Sequence, residues 1–471
     1  MVMEMLERSG NRRTQVQMVD VDMLVPEDHL LRKIDQVIDF DRIYEFVGQY
    51  YCQDNGRPAV DPVVLFKMVL IQHLFGIPSL RRTVEEITVN VAYRWFLGFD
   101  LTTRVPHFST VSYAFATRYP SDVCEKVFAW ILEVAIENGC IDETIVFIDS
   151  THVKAYANRK KYTKELAEKT ARIYDEQLRE EIDQERTANG KKPLKPKTEP
   201  EKVTVTRSTT DPDSGLFQKG DHKPVFAYTV HVACEKHNFA LRVGVTPGNV
   251  HDSVAFDQIH DPLVKRFPGI ETFALDAAYK TPWICKKIID AGRNPSMPYK
   301  RPMGKKGFFR PRDYVYDNYY NCVICPHNQV LSYSTTNRDG YRVFKSDPAI
   351  CAACPDLAKC TSSRNHQKVV IKHIWEDYIE RAEDYRHTEA GKKSYELRGE
   401  TIERVFADAK EKHGMRYTFH RGLARVTKWV TLKFAAMNLK KLALWVSRTS
   451  FFASIERFSV LLQQPKGCLQ L

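Results

Sequence analysis

The sequence has no long uncharged apolar stretch of the kind that crosses a membrane. The best candidate, residues 429–445, is interrupted by Lys433, Lys440 and Lys441, which indicates an amphipathic helix. The N-terminus has no basic stretch followed by an apolar core and a small-residue cleavage site. We therefore expect no membrane partner and a cytoplasmic location.

Acidic residues are too few to balance the basic ones. The 471 residues include 59 Asp and Glu against 70 Lys and Arg, which gives a formal charge of +11. A charge of this sign favours a polyanionic partner such as nucleic acid, with a basic protein that has no such partner as the alternative. The length exceeds one ordinary domain, so we expect two or three units.

Cysteine is sparse, with 11 residues in the chain. In the cytoplasm such cysteines are thiols or metal ligands more often than disulfides. Five of them gather in one segment: Cys322, Cys325, Cys351, Cys354 and Cys360. Paired Cys-x-x-Cys motifs are typical of a structural zinc site, and four of these five would fill its tetrahedron. Free thiols are the alternative.

Residues 1–140 are predicted to be helical. Asp61 and Pro62 supply a cap and a first-turn proline for VVLFKMVLIQHLF. Ser79 is predicted to cap one helix over LRRTVEEITVNVAYRWF, and Ser109 another over TVSYAFATRY. Short helices carrying several arginines predict a DNA-binding domain, and a plain helical packing domain is the alternative.

Residues 141–300 change to an alternating pattern of strands and helices. TIVFID is a continuous apolar run, typical of a central strand covered on both faces. KPVFAYTVHVAC and NFALRVGVTP predict a hairpin, Asp252 is predicted to cap the next helix, and IETFALD is a further strand. A short strand is expected at 296–299. The order predicts a mixed α/β sheet whose first three strands are antiparallel.

Two segments interrupt this sheet as insertions. Residues 156–221 begin with a charged segment predicted to be helical and continue into a Pro/Lys-rich exposed arm. Residues 301–390 contain the cysteine cluster. Residues 391–445 are expected to complete the sheet domain, and 446–471 form a C-terminal tail.

Asp149 and Asp276 each end an apolar run of the predicted sheet. A carboxylate at the end of a buried strand is costly unless it is paired or binds a cation. Two of them in one domain predict a metal site. Glu403 flanks the apolar face of the predicted helix within residues 395–414, so it can point towards the sheet. Three other acids of that helix are rivals: Glu400, Asp408 and Glu411.

These residues resemble the acidic triad of bacterial insertion-sequence transposases of the DDE superfamily. The resemblance rests on four motifs: FIDSTHVKA, TPGNVHDS, DAAYKT with Ala278 where Gly is usual, and a Tyr-Arg-Glu-Lys set. That set comprises Tyr395, Arg398, Glu403 and Lys410, with one extra residue between Arg and Glu. GRPAVDPVVLFKMVLIQHLFG resembles the family's N-terminal helical domain. The resemblance raises Glu403 above its rivals.

The resemblance implies an RNase H-like catalytic core and metal-dependent cleavage and joining of DNA. Asp149, Asp276 and Glu403 would hold two Mg²⁺ or Mn²⁺ ions. Lys410 and Arg398 would contact DNA phosphate, and the cysteine-rich insert would support the fold or clamp DNA with nearby cations. The cations are Lys305, Lys306, Arg310 and Arg312. The residues expected to shape the site are Asn249, His251 and Asp252.

The implied partners are the element's terminal inverted repeats and target DNA, with a homodimer on DNA and association with the nucleoid. Two alternatives remain. One is a nuclease or resolvase on the same sheet that cuts without joining. The other is a catalytically silent DNA-binding protein derived from a transposase.

Overall fold

The computed structural model describes residues 18–52, 59–168, 174–196, 202–218, 220, 223–300 and 305–463. The chain forms two compact units. The helical unit comprises Met1–Cys140, Lys412–Gly414 and Leu432–Leu471, and the sheet unit comprises Ile141–Glu411 and Met415–Thr431. Within the described ranges no helix is long and apolar enough to span a bilayer.

Between residues 18 and 140, and leaving aside 53–58, the helical unit contains seven helices. They are α1 (Leu30–Val37), α2 (Arg42–Val47), α3 (Pro62–Leu74), α4 (Leu80–Val89), α5 (Val91–Phe96), α6 (Phe108–Tyr113) and α7 (Ser121–Glu137). Short 3₁₀ turns lie at Asp22–Leu24 and Gly48–Tyr50, and a π-helical turn lies at Ala114–Arg118. Helix α3 is buried on almost all sides, and Phe66 on it stacks on Tyr119 with ring centroids 5.4 Å apart.

The predicted caps of this unit are partly correct. The Asp61 carboxylate accepts a hydrogen bond from the Val63 amide at 2.8 Å, and Ser79 caps α4. The single helix predicted after Ser79 is wrong, because Asn90 ends α4 and its side chain caps α5. Ser109 is not a cap either, since His107 accepts from the Ser109 amide and starts α6.

The sheet unit begins with the strands of its larger sheet. They are β1 (Ile145–Lys154), β2 (Tyr162–Glu168), β3 (Lys202–Ser208), β4 (Gly215–Phe217), β5 (Val225–Glu235), β6 (Ala240–Pro247), β7 (Thr272–Leu275) and β8 (Asn294–Ser296). The helices are α8 (Asp175–Ala188), α9 (Asp252–Arg266), α10 (Pro282–Asp290), α11 (Pro348–Ala352), α12 (Leu357–Cys360), α13 (Glu376–His387), α14 (Glu389–Glu400), α15 (Ile402–Glu411) and α16 (Leu423–Gln463). Helix α16 starts in this unit and continues into the helical unit.

The larger sheet is mixed, as the sequence predicted. Strand β1 pairs antiparallel with β5, and β5 pairs antiparallel with β6. On its other side β1 pairs parallel with β7, and β7 pairs parallel with β8. The first three core strands therefore form an antiparallel group, and the later two are added through crossover helices. A mixed α/β core with an N-terminal helical region is confirmed.

The first insertion differs from its prediction. Residues predicted as the start of a charged helix form β2, which pairs with β3, and β3 and β4 continue the large sheet beyond β5. Among the described residues of this insertion, only those of α8 form a helix. Strand β3 has the sequence KVTVTRS, whose β-branched residues favour an extended backbone. Strand β2 pairs with it. Residues 191–196 lack regular structure and are mostly exposed, in keeping with the predicted arm.

The second insertion carries its own antiparallel sheet. Its strands are β9 (Val315–Asp317), β10 (Cys322–Ile324), β11 (Val330–Thr336), β12 (Tyr341–Lys345) and β13 (Val369–His373), paired in sequence order. Val323, Leu331 and Phe344 form its small core. Arg342 on β12 makes two hydrogen bonds of 2.6 and 2.9 Å to Glu185 on α8. The two insertions thus support each other.

The helix predicted around Glu403 is broken. Helix α14 ends at Glu400, and α15 begins at Ile402. Between them Thr401 leaves helical geometry, with φ −110° and ψ −92°, and its hydroxyl donates to the Leu397 carbonyl at 2.7 Å. Arg398 and Glu403 therefore lie on two different helices.

Candidate active site

Asp149 lies in the middle of β1, so the predicted strand tip is wrong for this residue. Strand β1 runs on to Lys154 because its antiparallel ladder with β5 extends from Val146 to Lys154. The parallel ladder with β7 is shorter and ends at the pair Ile148 and Leu275. Asp149 and Asp276 both follow this last pair. The two carboxylates are neighbours because of the parallel register of β1 and β7, and not because both strands end there.

Arg398 connects two of the three predicted acids. Its Nη2 donates to Asp149 Oδ2 in a short ion pair, and its Nη1 donates to Glu403 Oε1 at 3.3 Å. The Arg398 side chain is 10% exposed, Asp149 17% and Glu403 61%. A single guanidinium from α14 thus bridges β1 and α15. Arg398 and Asp149 are 249 residues apart in the sequence.

Burial dominates the electrostatics of Asp149. Desolvation raises the pKa of its carboxyl to about 6, although the Arg398 guanidinium and the Ser150 amide favour the charged form. Asp276 and Asp252 raise it further through like-charge repulsion. The cluster therefore has more negative charge than Arg398 neutralises, which is the electrostatic condition of a cation site.

Asp252 joins this cluster as a fourth carboxylate. It is the first residue of α9 and not its predicted cap, because His251 accepts from the Ser253 amide. The Ser150 side chain hydrogen-bonds to Asp252, and His231 Nδ1 lies 3.8 Å from Asp252 Oδ1. Burial raises the pKa of Asp252, and Asp276 adds to this effect.

Asn249 and His251 position the loop before α9. An added Cβ at Gly215 would lie 2.2 Å from Asn249 Oδ1, so β4 needs glycine where Asn249 packs. The exposed His251 holds Ser253 through its ring nitrogen, 2.8 Å from the Ser253 hydroxyl. Both residues act on the start of α9 and so on the placement of Asp252.

Three further residues lie at the site although the sequence did not predict a site role for them. Tyr279 is almost fully buried, and in the described part of the chain its hydroxyl has no hydrogen-bond partner. The charges of Asp149, Asp252 and Asp276 act on that hydroxyl, and burial with these charges raises its pKa. Ser150 and His231 contact Asp252 from β1 and β5. The signal for Tyr279 was present, since DAAY is one of the motifs.

The predicted DNA-contacting cations lie in two places. Lys410 is half-buried on the last turn of α15, on the same helix as Glu403. Four others lie in the first part of the second insertion and are exposed: Lys305, Lys306, Arg310 and Arg312. Lys305 Nζ lies 4.7 Å from the Phe308 ring centroid. Among the predicted cations, Arg398 contacts two members of the triad, Asp149 and Glu403.

The five cysteines of the second insertion form no disulfide, and four of them have different surroundings. Cys322 is a neighbour of the core residue Val323 on β10 and so faces the opposite side of that sheet, whereas Cys325 packs against the core. The Cys351 thiol contacts Ser346 Oγ at 3.2 Å, and the Cys360 thiol contacts Tyr314 Oη at 3.3 Å. This arrangement gives no support to the predicted zinc tetrahedron.

The donor chemistry at the carboxylate cluster fits a hard cation. Oxygen ligands from Asp and Glu are those that Mg²⁺ and Mn²⁺ take. As the side chains stand, the described residues contain no group of three or more His, Cys, Asp or Glu side chains gathered closely enough to hold a metal. Within the triad, Arg398 contacts both Asp149 and Glu403.

Two family models match the chain. The model described as Transposase domain (DUF772) matches residues 19–116, in the helical unit. The model described as Transposase DDE domain matches residues 324–443, which include Arg398, Glu403 and Lys410. Asp149 and Asp276 lie outside both matches. No curated protein and no solved structure matches the chain.

A transposase domain followed by a DDE domain is the combination that the two matches indicate. The two matches support an insertion-sequence transposase of the DDE superfamily, and the resemblance seen in the sequence motifs is confirmed. The DDE domain indicates a nuclease or transposase enzyme, and the family implies DNA binding and a divalent metal.

Proposed function

We propose that this protein binds the ends of an insertion sequence and catalyses metal-dependent DNA cleavage followed by strand transfer. The observation that carries the proposal is the Arg398 bridge, which joins carboxylates of β1 and α15 beside Asp276 at the end of the parallel ladder. Two acids from distant parts of the sequence converge on Arg398, and a third, Asp276, lies next to Asp149 at the end of the parallel ladder. A structural ion pair alone requires neither the third acid nor the fourth.

Asp149, Asp276 and Glu403 would hold the divalent ions. When bound, such ions activate the attacking oxygen and stabilise the leaving oxygen of an in-line displacement at phosphorus. Burial in the sheet holds Asp149 rigidly and excludes water around it. Arg398 and Lys410 offer cations to a DNA phosphate, and Asp252 adds negative charge on the α9 side.

The test is cleavage and joining of labelled DNA that carries the native element's ends, with Mg²⁺. Wild-type protein should cut and join. Asp149→Asn, Asp276→Asn and Glu403→Gln should each abolish cutting while specific binding to the ends persists. Glu400→Gln, on the neighbouring helix, is the matched control and should retain cutting.

The outcomes separate the alternatives. Cutting without joining by the wild type would indicate a nuclease or resolvase. Specific binding without cutting would indicate a silent DNA-binding protein. Cutting by any one of the three carboxyl variants would remove that residue from the triad.

We assign binding of the terminal repeats to the helical region of residues 1–140, with a homodimer on DNA. The match to the transposase domain over 19–116 and the short capped helices support this assignment. Because phosphate contacts release counterions, the affinity should fall steeply as salt rises. Sedimentation of the protein with and without end DNA measures the stoichiometry, and one protomer on a pair of ends would contradict the dimer.

Zinc in the second insertion stays a prediction from the cysteine spacing. Its support is the pair of Cys-x-x-Cys motifs alone. Metal analysis of protein purified without chelators tests it, and protein without zinc would remove it.

A further inference from the structure

Three aromatic side chains, two exposed and one half-buried, form a cluster beyond the end of β1, which we call the aromatic cluster: Tyr156, Phe419 and Tyr417. Tyr156 is 43% exposed and Phe419 56%. The ring centroids of Tyr417 and Phe419 are 4.9 Å apart at 87°, and Tyr156 lies about 6 Å from both. Large aromatic side chains grouped at a surface mark an interaction site more often than single ones do.

The cluster is held in place by backbone and side-chain contacts. Residues 416–418 run beside Lys154, whose amide donates to the Arg416 carbonyl at 3.3 Å and whose carbonyl accepts from the Thr418 amide at 3.1 Å. Downstream, the Gly422 amide donates to Asp211 Oδ1 at 2.9 Å. The rings are therefore presented by a fixed segment and lose little conformational freedom on binding.

A guanidinium completes the cluster. Arg421 Cζ lies 4.5 Å from the Tyr156 ring centroid, and Arg421 Nε donates to the Tyr156 carbonyl at 3.1 Å. Lys154 and Arg416 are exposed on the same two segments, and Arg416 is paired with Glu411. An apolar protein surface could pack on these rings, but it would gain nothing from the cations around them. Those cations favour a polyanion that also carries flat apolar groups. An unpaired nucleic-acid strand has both properties.

The position of the cluster relates it to the carboxylates. Asp149 and Lys154 lie on the same strand, and five residues of strand span about 17 Å. Tyr156 follows directly after that strand. A DNA strand that leaves the carboxylate cluster along β1 therefore reaches the aromatic cluster within several nucleotides.

We propose that Tyr156 and Phe419, with Arg421, form a stacking site for an unpaired base that lies several nucleotides from the cleavage point on the DNA strand leaving the carboxylate cluster. The proposal rests on the proposed function only in taking DNA as the substrate. Stacking of bases on aromatic rings does not depend on sequence, so this site would hold the strand without reading it.

The experiment measures binding of the full-length protein to a single-stranded oligonucleotide that carries a fluorescent adenine analogue. Stacking quenches the analogue in wild type. Phe419→Ala and Tyr156→Leu should weaken binding about 5- to 150-fold and abolish the quenching, whereas Phe419→Trp should retain both. Tyr319→Ala removes an equally aromatic side chain, 89% exposed, from the second insertion and is the matched control. It should bind like wild type.

Duplex DNA with the element's ends is the second readout. The cluster variants should bind this duplex like wild type, which also shows that they are folded. Unchanged single-strand affinity and quenching in both cluster variants would overturn the stacking site, as would an equal loss in Tyr319→Ala. Wild type that binds the duplex specifically but never quenches the analogue would overturn the stacking site alone. Failure of specific duplex binding would instead count against the proposed function.

Discussion

The Arg398 bridge leads to a quantitative prediction for Arg398→Gln. In the metal-free protein Arg398 is the cation that contacts both Asp149 and Glu403. Removing one partner of a buried ion pair costs about 3–5 kcal/mol, and the exposed Glu403 adds at most about 1 kcal/mol. Asp149 can limit the loss by taking up a proton, because burial already raises its pKa to about 6. We therefore expect a loss of about 3 kcal/mol.

A divalent cation should reverse this loss. When bound at the carboxylates it replaces the missing positive charge, and it no longer competes with the guanidinium for Asp149 and Glu403. A loss of about 3 kcal/mol corresponds to a fall of roughly 6–12 °C in the unfolding midpoint. Mn²⁺ should raise the midpoint of Arg398→Gln more than that of wild type, and calorimetric titration should show tighter Mn²⁺ binding by the variant.

Arg342→Gln is the control, because the Arg342–Glu185 pair is comparably buried, at 16% and 17% exposure, and lies in the second insertion and α8. It should lose stability without any added response to Mn²⁺. The reasoning is refuted if Arg398→Gln matches wild type without metal, or if it binds Mn²⁺ more weakly than wild type does.

Three further predictions concern other groups. Mn²⁺ affinity should fall as the pH drops through about 6, because protonation of Asp149 removes a ligand; calorimetric affinities that are equal on both sides of that pH would contradict this. Burial lowers the pKa of Lys433 from 10.5 to about 7, so the unfolded chain binds more protons between these values and stability should rise with pH across them. Lys433→Met should remove that rise in denaturant titrations, and an unchanged slope would show that another group causes it. Gly76→Ala should destabilise the helical unit, because φ is +63° and the new Cβ would lie 2.6 Å from the Lys412 carbonyl oxygen; thermal unfolding at the wild-type midpoint would argue against that contact.

Much of the sheet could be predicted because its strands are locally marked. The apolar run before Asp149 and the two strands around the 235–239 turn are apolar enough to be found from composition alone. That Asp149 and Asp276 lie close to each other also follows from the sequence, once each is placed directly after one of two parallel strands.

Other features depend on contacts that no local pattern contains. Strand β2 is rich in charged residues, and it is a strand because β3 pairs with it across the first insertion. The continuation of β1 past Asp149 depends in the same way on its partner β5. The Arg398 bridge joins residues 249 positions apart, so the sequence could suggest a DNA contact for Arg398 but not its place among the acids.

The break at Thr401 has a geometric consequence. On one continuous α-helix, side chains five residues apart point about 140° away from each other, so Arg398 and Glu403 could not meet at one point. The non-helical backbone of Thr401 resets the rotation between α14 and α15 and lets both side chains face β1. The additional residue between arginine and glutamate is therefore absorbed by one pair of backbone torsions. Arg398 and Glu403 therefore meet in space although their separation along the sequence is one residue longer than in the common motif.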